Sequence, residues 1–181
     1  MNFKKLLDLD ARLSTRLRVA ENPGALRTTA MLFAHSGDSW FWAVALVLLG
    51  FMGNPFWKAR AVSMGISILV TALLVLTIKF TVKRRRPEGD WGEIYRSTDP
   101  HSFPSGHATR SFMLAVLAVG LGPVWFALIL LIWAPLVGLA RVAMGVHYLS
   151  DVIVGAILGV FMGWVNYTFL PVVIDTLATF L

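Results

Sequence analysis

The sequence predicts an all-α protein, a polytopic membrane helix bundle with five to six membrane helices that include an amphipathic N-terminal helix. Hydrophobic residues make up 57% of the 181 residues and charged residues only 14%, whereas soluble domains contain about 25% charged residues. The apolar residues are gathered in long runs that Gly, Pro and Asn separate. This composition, which includes no cysteine, excludes disordered, collagen-like and disulfide-rich proteins.

The first 25 residues are expected to form a helix at the membrane surface. Leucines recur at roughly helical spacing between basic side chains in residues 1–20, a pattern typical of a helix that lies in a bilayer interface. The sequence Asn-Pro-Gly at 22–24 then breaks the helix. We therefore divide the chain into an amphipathic N-terminal helix, residues 1–25, and a membrane-embedded domain, residues 26–181.

The first apolar run covers residues 40–52 and is shorter than the roughly 20 residues that a bilayer requires. Its helix is therefore expected to begin near Thr28 and to be kinked around Gly37. Asp38 or Ser39 is placed to cap the part of the helix that follows the kink. If residues 26–34 form a separate element, the count of membrane helices rises from five to six.

Four further apolar runs follow the first one and are each predicted to span the membrane. Two of these spans separate the polar segment 82–107 from the short turn at 141–147. Both polar segments must therefore lie on the same side of the membrane, together with the N-terminal helix if there are five spans. The four runs are residues 61–82, 108–121, 124–142 and 146–170.

Polar clusters interrupt the apolar pattern at three places on this side, and ionisable residues beside a membrane span indicate function. In the first cluster, Lys79, Lys83 and Arg86 are predicted to share one face of a helix that Pro87 ends. Anchoring to anionic lipid is the alternative role of the basic residues 83–85. Lys79 lies a full turn deeper, where anchoring explains it less well.

The second cluster precedes the span at 108–121. Ser105 is placed to cap that helix, and the free N–H groups of a helix N-terminus can bind an anion. Gly106 would let a ligand approach the backbone closely, and His107 follows it. An ordinary serine cap beside an interfacial histidine is the alternative interpretation.

The third cluster contains Arg141, His147 and Asp151. A helix that begins near Val146 places His147 and Asp151 on one face, four residues apart. The carboxylate can then accept a hydrogen bond from one imidazole nitrogen and leave the other for a substrate. A polar pair at a membrane interface is the alternative. Together the clusters could bind a phosphate dianion, while one histidine attacks phosphorus and the other protonates the leaving oxygen.

These clusters, in this order, resemble the motifs of the type 2 phosphatidic acid phosphatase family over about residues 38–170. The motif K-x6-R-P matches Lys79 through Pro87, and P-S-G-H matches residues 104–107. The motif S-R-x5-H-x3-D matches residues 141–151, although Ala140 replaces its serine. The resemblance implies an integral membrane lipid phosphatase that needs no metal or other cofactor and forms a phosphohistidine, with residues 26–181 as its phosphatase domain.

The resemblance also implies a role for each matched residue. His147 would be the nucleophile, Asp151 would orient it, and His107 would be the general acid for the leaving group and then the base for water. The phosphoryl oxygens would be bound by Lys79, Arg86, Ser105, Gly106 and Arg141.

Several alternatives stay open at this point. A lipid-phosphate-binding or transport protein would use the same cations without chemistry. A two-metal site in the segment 88–99 is disfavoured because the segment lacks a D-x-D pattern; its candidate ligands are Glu88, Asp90, Glu93 and Asp99. The formal charge of +6 is expected to attract anionic lipid headgroups and a phosphorylated lipid substrate. We do not predict binding to nucleic acid. The oligomeric state is not predicted.

The substrate and the orientation are also open. Phosphatidylglycerol phosphate, phosphatidic acid, undecaprenyl diphosphate and lipid A all fit, as monoester or diphosphate. The compact chain resembles bacterial family members, which predicts a multi-pass protein of the bacterial cell (inner) membrane. Of the 16 Lys and Arg residues, only Lys58 and Arg60 lie opposite the site, so the positive-inside rule favours a cytoplasmic site. The family resemblance favours the extracytoplasmic side, and we give it slight preference.

Overall fold

The computed structural model describes residues 2–89 and 91–178, and within these ranges the chain forms eight helices and no β-strand. The predicted all-α class is confirmed. Two residues join α2 to α3, α3 to α4 and α6 to α7, and five residues join α7 to α8, whereas longer segments flank α5 and precede α2. The helices are α1 (Phe3–Arg16), α2 (Ala25–Ser36), α3 (Ser39–Met52), α4 (Pro55–Val82), α5 (Glu93–Thr98), α6 (Gly106–Leu121), α7 (Val124–Ala143) and α8 (Leu149–Ala178).

Three helices, α4, α7 and α8, are long and apolar enough to cross a membrane. Helices α2 and α3 count as a fourth span if they are taken together, and the bend between them is 57°. The predicted kink around Gly37 is therefore confirmed. Helix α6 is apolar but has only 16 residues, so the predicted number of five to six membrane helices stays a prediction.

The predicted N-terminal helix is present as α1, which lies across the start of α8 but ends at Arg16, before the predicted break at 22–24. The hydroxyl of Ser14 accepts a hydrogen bond from the backbone N–H of Leu149 at 2.8 Å. The carboxylate of Asp10 accepts one from the backbone N–H of Ser150 at 3.0 Å. Side chains of α1 thus satisfy N–H groups that the first turn of α8 leaves free. The division of the chain into residues 1–25 and 26–181 stays a prediction.

Helices α6 and α8 approach each other closely because glycines of α8 face α6. A Cβ atom at Gly155 would lie 2.7 Å from the carbonyl oxygen of Ser105, and one at Gly159 would lie closer still to that of Thr109. Small residues four apart allow two membrane helices to pack backbone against backbone. This packing brings the second polar cluster to the third, and the N–H of Ser105 donates to the carbonyl of Asp151 at 3.0 Å.

Two predicted helix ends are wrong. Helix α4 ends at Val82 and not at Arg86, because Lys83 adopts the left-handed conformation, φ 52°, and closes the helix with an N–H bond to Lys79. The chain then runs extended, so Arg86 does not share a helical face with Lys79. Helix α8 begins at Leu149 and not near Val146, which leaves His147 outside the helix.

Candidate active site

The three polar clusters meet at one end of the bundle, as predicted for segments on the same side. The end of α4, the starts of α6 and α8 and the end of α7 surround the site, together with the segments 83–89 and 91–105. Within this site the side chains of Lys79, Arg86, Arg141, His147 and Asp151 are buried. Ser105 is buried as well, and Gly106 and His107 are half-buried.

His147 lies between a guanidinium and a carboxylate. Its Nε2 is 3.0 Å from Nη1 of Arg86, and its Nδ1 is 3.6 Å from the carboxylate of Asp151. An arginine can only donate, so Nε2 must be the unprotonated nitrogen and Nδ1 carries the proton that faces Asp151. The two residues do not share a helical face as predicted, and the 3.6 Å contact is longer than a hydrogen bond, so Nδ1 of His147 has no hydrogen-bond partner among the described residues. The donor Arg86, and not Asp151, is what leaves Nε2 without a proton.

The surroundings of His147 keep it neutral. Burial disfavours the imidazolium, and the nearby charges of Arg86 and Arg141 add to this, which lowers the pKa of His147 to about 3 despite the opposing effect of Asp151. A neutral imidazole with an unprotonated Nε2 is the form that can act as a nucleophile, once Nη1 of Arg86 releases the lone pair that it occupies here.

Asp151 is held on both oxygens. One oxygen accepts from the backbone N–H of Tyr148 at 2.9 Å, which closes the first turn of α8. The other accepts from Nη1 of Arg84 at 2.7 Å, and Nη2 of Arg84 donates to Asp10 at 2.7 Å. Arg84 therefore orients the carboxylate. The sequence offered lipid anchoring as the alternative role of residues 83–85 and did not assign Arg84 to the site, because no local signal distinguishes it from Lys83 and Arg85.

Lys79 and Arg86 converge on Asp99, although they come from different secondary structures. One oxygen of Asp99 accepts from Nζ of Lys79 and from Nη2 of Arg86, each at 2.8 Å. Burial alone would raise the pKa of Asp99, but the hydrogen bond and charge of Lys79 and the charge of Arg86 outweigh it and lower the pKa. The two cations are thus already arranged around one anionic group.

Arg141 supplies hydrogen-bond donors without partners. Its side chain is fully buried, and its guanidinium lies 4.3 Å above the ring of Tyr95. Its Nη1 makes a long bond of 3.5 Å to the carbonyl of Ala34. Among the described residues, Nε and Nη2 of Arg141 have no hydrogen-bond partner. Unpaired buried donors are costly, so this guanidinium is suited to an anion.

His107 stands at the first turn of α6, where the hydroxyl of Ser105 accepts from the N–H of Ala108 and caps the helix as predicted. The Nε2 of His107 is 2.7 Å from the carboxylate of Asp38. A cavity of about 220 Å³ is lined by His107, Gly106, Lys79 and other residues of α3, α4 and α6. His107 therefore faces the same space as Lys79.

Among the residues that the structure describes, no group of three or more His, Asp or Glu side chains could hold a metal ion. Of the carboxylates considered for a two-metal site, Asp99 is engaged by Lys79 and Arg86. Asp90 lies outside the described residues. Metal independence stays a prediction.

Comparison with protein families identifies the chain. Residues 60–174 match the model of the PAP2 superfamily. The chain belongs to the PAP2 superfamily. This match contains the three motifs from Lys79 to Asp151, and it confirms the family that the motifs predicted.

Relatives within the PAP2 superfamily are phosphatases. The chain is 34% identical over 149 residues to the decaprenylphosphoryl-5-phosphoribose phosphatase of Mycobacterium tuberculosis, and the alignment covers 80% of each chain. It is similar in structure to LpxE of Aquifex aeolicus, with a TM-score of 0.71, 26% identity and coverage of 88% of this chain and 95% of that one.

A third comparison shows the fold alone. The phosphatidylglycerolphosphate phosphatase of PAP2 type from Bacillus subtilis has a TM-score of 0.75 at 24% identity, over 91% of this chain and 86% of the other. Together the comparisons and the apolar helices confirm a multi-pass PAP2 membrane protein and a phosphoric ester hydrolase of the lipid phosphatase class. The roles of the individual site residues stay predictions.

Proposed function

We propose that this protein hydrolyses a phosphomonoester or diphosphate of a membrane lipid through a phosphohistidine on His147. The observation that carries the proposal is the state of this imidazole. Its unprotonated Nε2 faces the guanidinium of Arg86, and its protonated Nδ1 faces Asp151. A nucleophile with its proton already directed away from the reacting atom needs no separate base.

The reaction follows from this arrangement in two displacements. The Nε2 lone pair of His147 forms a bond to phosphorus while the bond from phosphorus to the leaving oxygen breaks, and that oxygen takes a proton from protonated His107. Asp151 stabilises the positive charge that develops on the imidazole. Water then loses a proton to His107 and attacks phosphorus, the P–N bond breaks, and its electrons return to Nε2 of His147.

The phosphoryl oxygens would lie among Lys79, Arg86 and Arg141. Fixed cations and backbone N–H groups stabilise charge on the equatorial oxygens in the transition state. Asp99 already holds Lys79 and Arg86 together, so a phosphate that binds these cations competes with its carboxylate. The first turn of α6, with Ser105 and Gly106, would add N–H donors. No metal or other cofactor has a role in this proposal.

A path for the lipid chain begins in the cavity that His107 lines. That cavity and an apolar groove of about 300 Å³ between α3 and α4 share Ser39 and Ile68 in their linings. A hydrocarbon chain in the groove would place its headgroup between Lys79 and His107. This continuity favours catalysis on a lipid over catalysis on a soluble phosphate ester.

The mycobacterial relatives suggest the first substrate to test. They act on decaprenylphosphoryl-5-phosphoribose, so we place a phosphorylated sugar carried on a polyprenyl phosphate first among candidates. Phosphatidylglycerol phosphate, phosphatidic acid, undecaprenyl diphosphate and lipid A follow.

We further propose that the protein lies in a bacterial inner membrane with its site on the extracytoplasmic side, although the distribution of Lys and Arg favours the cytoplasmic side. Since the chain has no cysteine, a single cysteine at the exposed Glu88 can be labelled with an impermeant maleimide. Labelling in intact cells is expected, and protection until lysis would reverse the orientation.

The decisive experiment measures phosphate release by purified protein from this lipid panel, with and without EDTA and orthovanadate. We expect release that survives EDTA, is inhibited by vanadate and is accompanied by an acid-labile phosphoenzyme. His147→Ala should abolish both turnover and phosphoenzyme, whereas Lys58→Ala, at an exposed lysine on the opposite end, should change neither. Binding of the lipids without phosphate release would favour the non-catalytic alternative. Turnover by His147→Ala would refute the mechanism.

A further inference from the structure

The bend between α2 and α3 places Asp38 inside the site. Asp38 occupies the N-cap position of α3, but its side chain makes no hydrogen bond to that helix. The capping role that its position predicts is therefore wrong. The residue also lies before the segment 60–174 that matches the family model, so its role must be argued from its contacts.

The carboxylate of Asp38 is bonded on both oxygens to side chains from other parts of the fold. Its Oδ1 is 2.7 Å from Nε2 of His107 and accepts from the hydroxyl of Tyr95 at 3.2 Å. Its Oδ2 is 3.0 Å from Nδ1 of His35. The side chains of Asp38 and His107 are only 12% and 15% exposed, so a strong charge-assisted bond joins them in a largely dry environment.

The surrounding helices hold the bend at this position. Arg110 of α6 donates from Nη2 to the carbonyl of Gly37 and from Nη1 to the hydroxyl of Ser39, each at 2.5 Å. A Cβ atom at Gly37 would lie 2.8 Å from Val137 and 3.2 Å from the ring of His107. Only glycine lets the chain pass this close, so the bend is built to bring Asp38 against His107.

We infer that Asp38 is the positioning residue of the general acid His107. A carboxylate can only accept, so the bond to Asp38 keeps a proton on Nε2 of His107. Nδ1 is then the nitrogen that exchanges protons with the reacting groups. The site would contain two imidazoles, each oriented by its own carboxylate, with Nε2 of His147 and Nδ1 of His107 left for chemistry.

The inference rests on the proposed function and assigns the proton transfer to one atom. As the P–O bond breaks, the leaving oxygen takes the proton of Nδ1, and His107 becomes neutral while Nε2–H remains bonded to Asp38. Nδ1 then accepts a proton from the attacking water, which restores the imidazolium. Asp38 stays ionised throughout and stabilises the charged form of His107 by its own charge.

The test compares Asp38→Asn, His107→Ala and the double variant on an alkyl phosphate and on p-nitrophenyl phosphate. General acids contribute about 10²- to 10⁴-fold when the leaving group is poor, so we expect Asp38→Asn to lose about 10- to 100-fold of kcat on the alkyl phosphate and far less on the activated ester. Adding Asp38→Asn to His107→Ala should cost nothing more, because coupled residues are not additive. Glu21→Gln, an exposed carboxylate, serves as the control.

Equal losses on both substrates, or additive losses in the double variant, would overturn the inference and make Asp38 a purely structural residue. A second measurement uses the unmodified protein and requires no turnover. Nitrogen-15 NMR of its four histidines, with His107 assigned by His107→Gln and recorded at a pH where this imidazole has lost one proton, should show the remaining proton on Nε2. A proton on Nδ1 would overturn the inference, whereas absence of phosphatase activity in the unmodified protein would instead count against the proposed function.

Discussion

Replacing Asp10 with alanine should destabilise the protein more than it slows the reaction. Asp10 joins three parts of the molecule: it accepts from Arg84 at 2.7 Å, from the backbone N–H of Ser150 at 3.0 Å and from its hydroxyl at 2.5 Å. Arg84 in turn holds Asp151. The amphipathic helix is therefore connected to the carboxylate that orients His147, and Asp10→Ala breaks this connection.

The loss can be worked out from the bonds that disappear. A hydrogen bond to a charged group contributes about 1.5–3 kcal/mol, and loss of a capping side chain costs about 1 kcal/mol. The side chains of Asp10 and Arg84 are only 12% and 17% exposed, so solvent screens the pair little. Together the free energy of unfolding should fall by about 3 kcal/mol, or about 6–12 °C in Tm for a chain of this size.

The chemical step should suffer less than tenfold, because Asp151 keeps its bonds to Arg84 and to the N–H of Tyr148. Thermal unfolding in detergent can be followed by the fluorescence of the seven tryptophans, alongside kcat on p-nitrophenyl phosphate below the transition. The matched control is Asp8→Ala, an exposed carboxylate on the same helix. If the two variants unfold at the same temperature, the connection through Asp10 contributes nothing and the reasoning is refuted.

Three further predictions follow from the site and the groove. Because the pKa of His147 is lowered to about 3 in the folded protein, the unfolded chain binds a proton on this residue between pH 3 and 6.5 that the folded protein does not. Acidification from pH 7 to 5 should therefore lower the free energy of unfolding by about 2 kcal/mol. Calorimetry should find this loss absent in His147→Asn. A Cβ atom at Gly65 meets nothing within 4 Å, so Gly65→Leu should fill the groove and lower kcat/KM roughly 5- to 150-fold on a long-chain lipid, for a conflict of about 1–3 kcal/mol. The rate of Gly65→Leu on p-nitrophenyl phosphate should not change. The control variant Ala59→Leu, at an exposed position on the same helix, should keep its rate on both substrates. Asp99→Asn removes the carboxylate that competes for Lys79 and Arg86 and should strengthen inhibition by orthovanadate; weaker inhibition would instead mean that Asp99 positions the cations.

Much of the site was predictable because its chemistry lies in short stretches of sequence. A membrane protein followed from the long apolar runs, since only apolar side chains are stable beside lipid. His147 and Asp151 are close in sequence, and so are Ser105 and His107, so their spacing is recognisable along the chain. The kink at Gly37 was predictable as well, because the run 40–52 alone is too short to cross a bilayer.

Contacts between distant segments could not be predicted. Asp38 and His107 are 69 residues apart, and Asp10 and Arg84 are 74 apart; only the packing of the helices brings each pair together. The end of α4 depends on the left-handed conformation of Lys83, which local sequence does not favour. The sequence by itself determined which residues are candidates for the chemistry. Tertiary structure alone decided that Asp38 faces His107, and hence which nitrogen of that imidazole is bonded to a carboxylate, because hydrogen bonding depends on positions in space and not on separation along the chain.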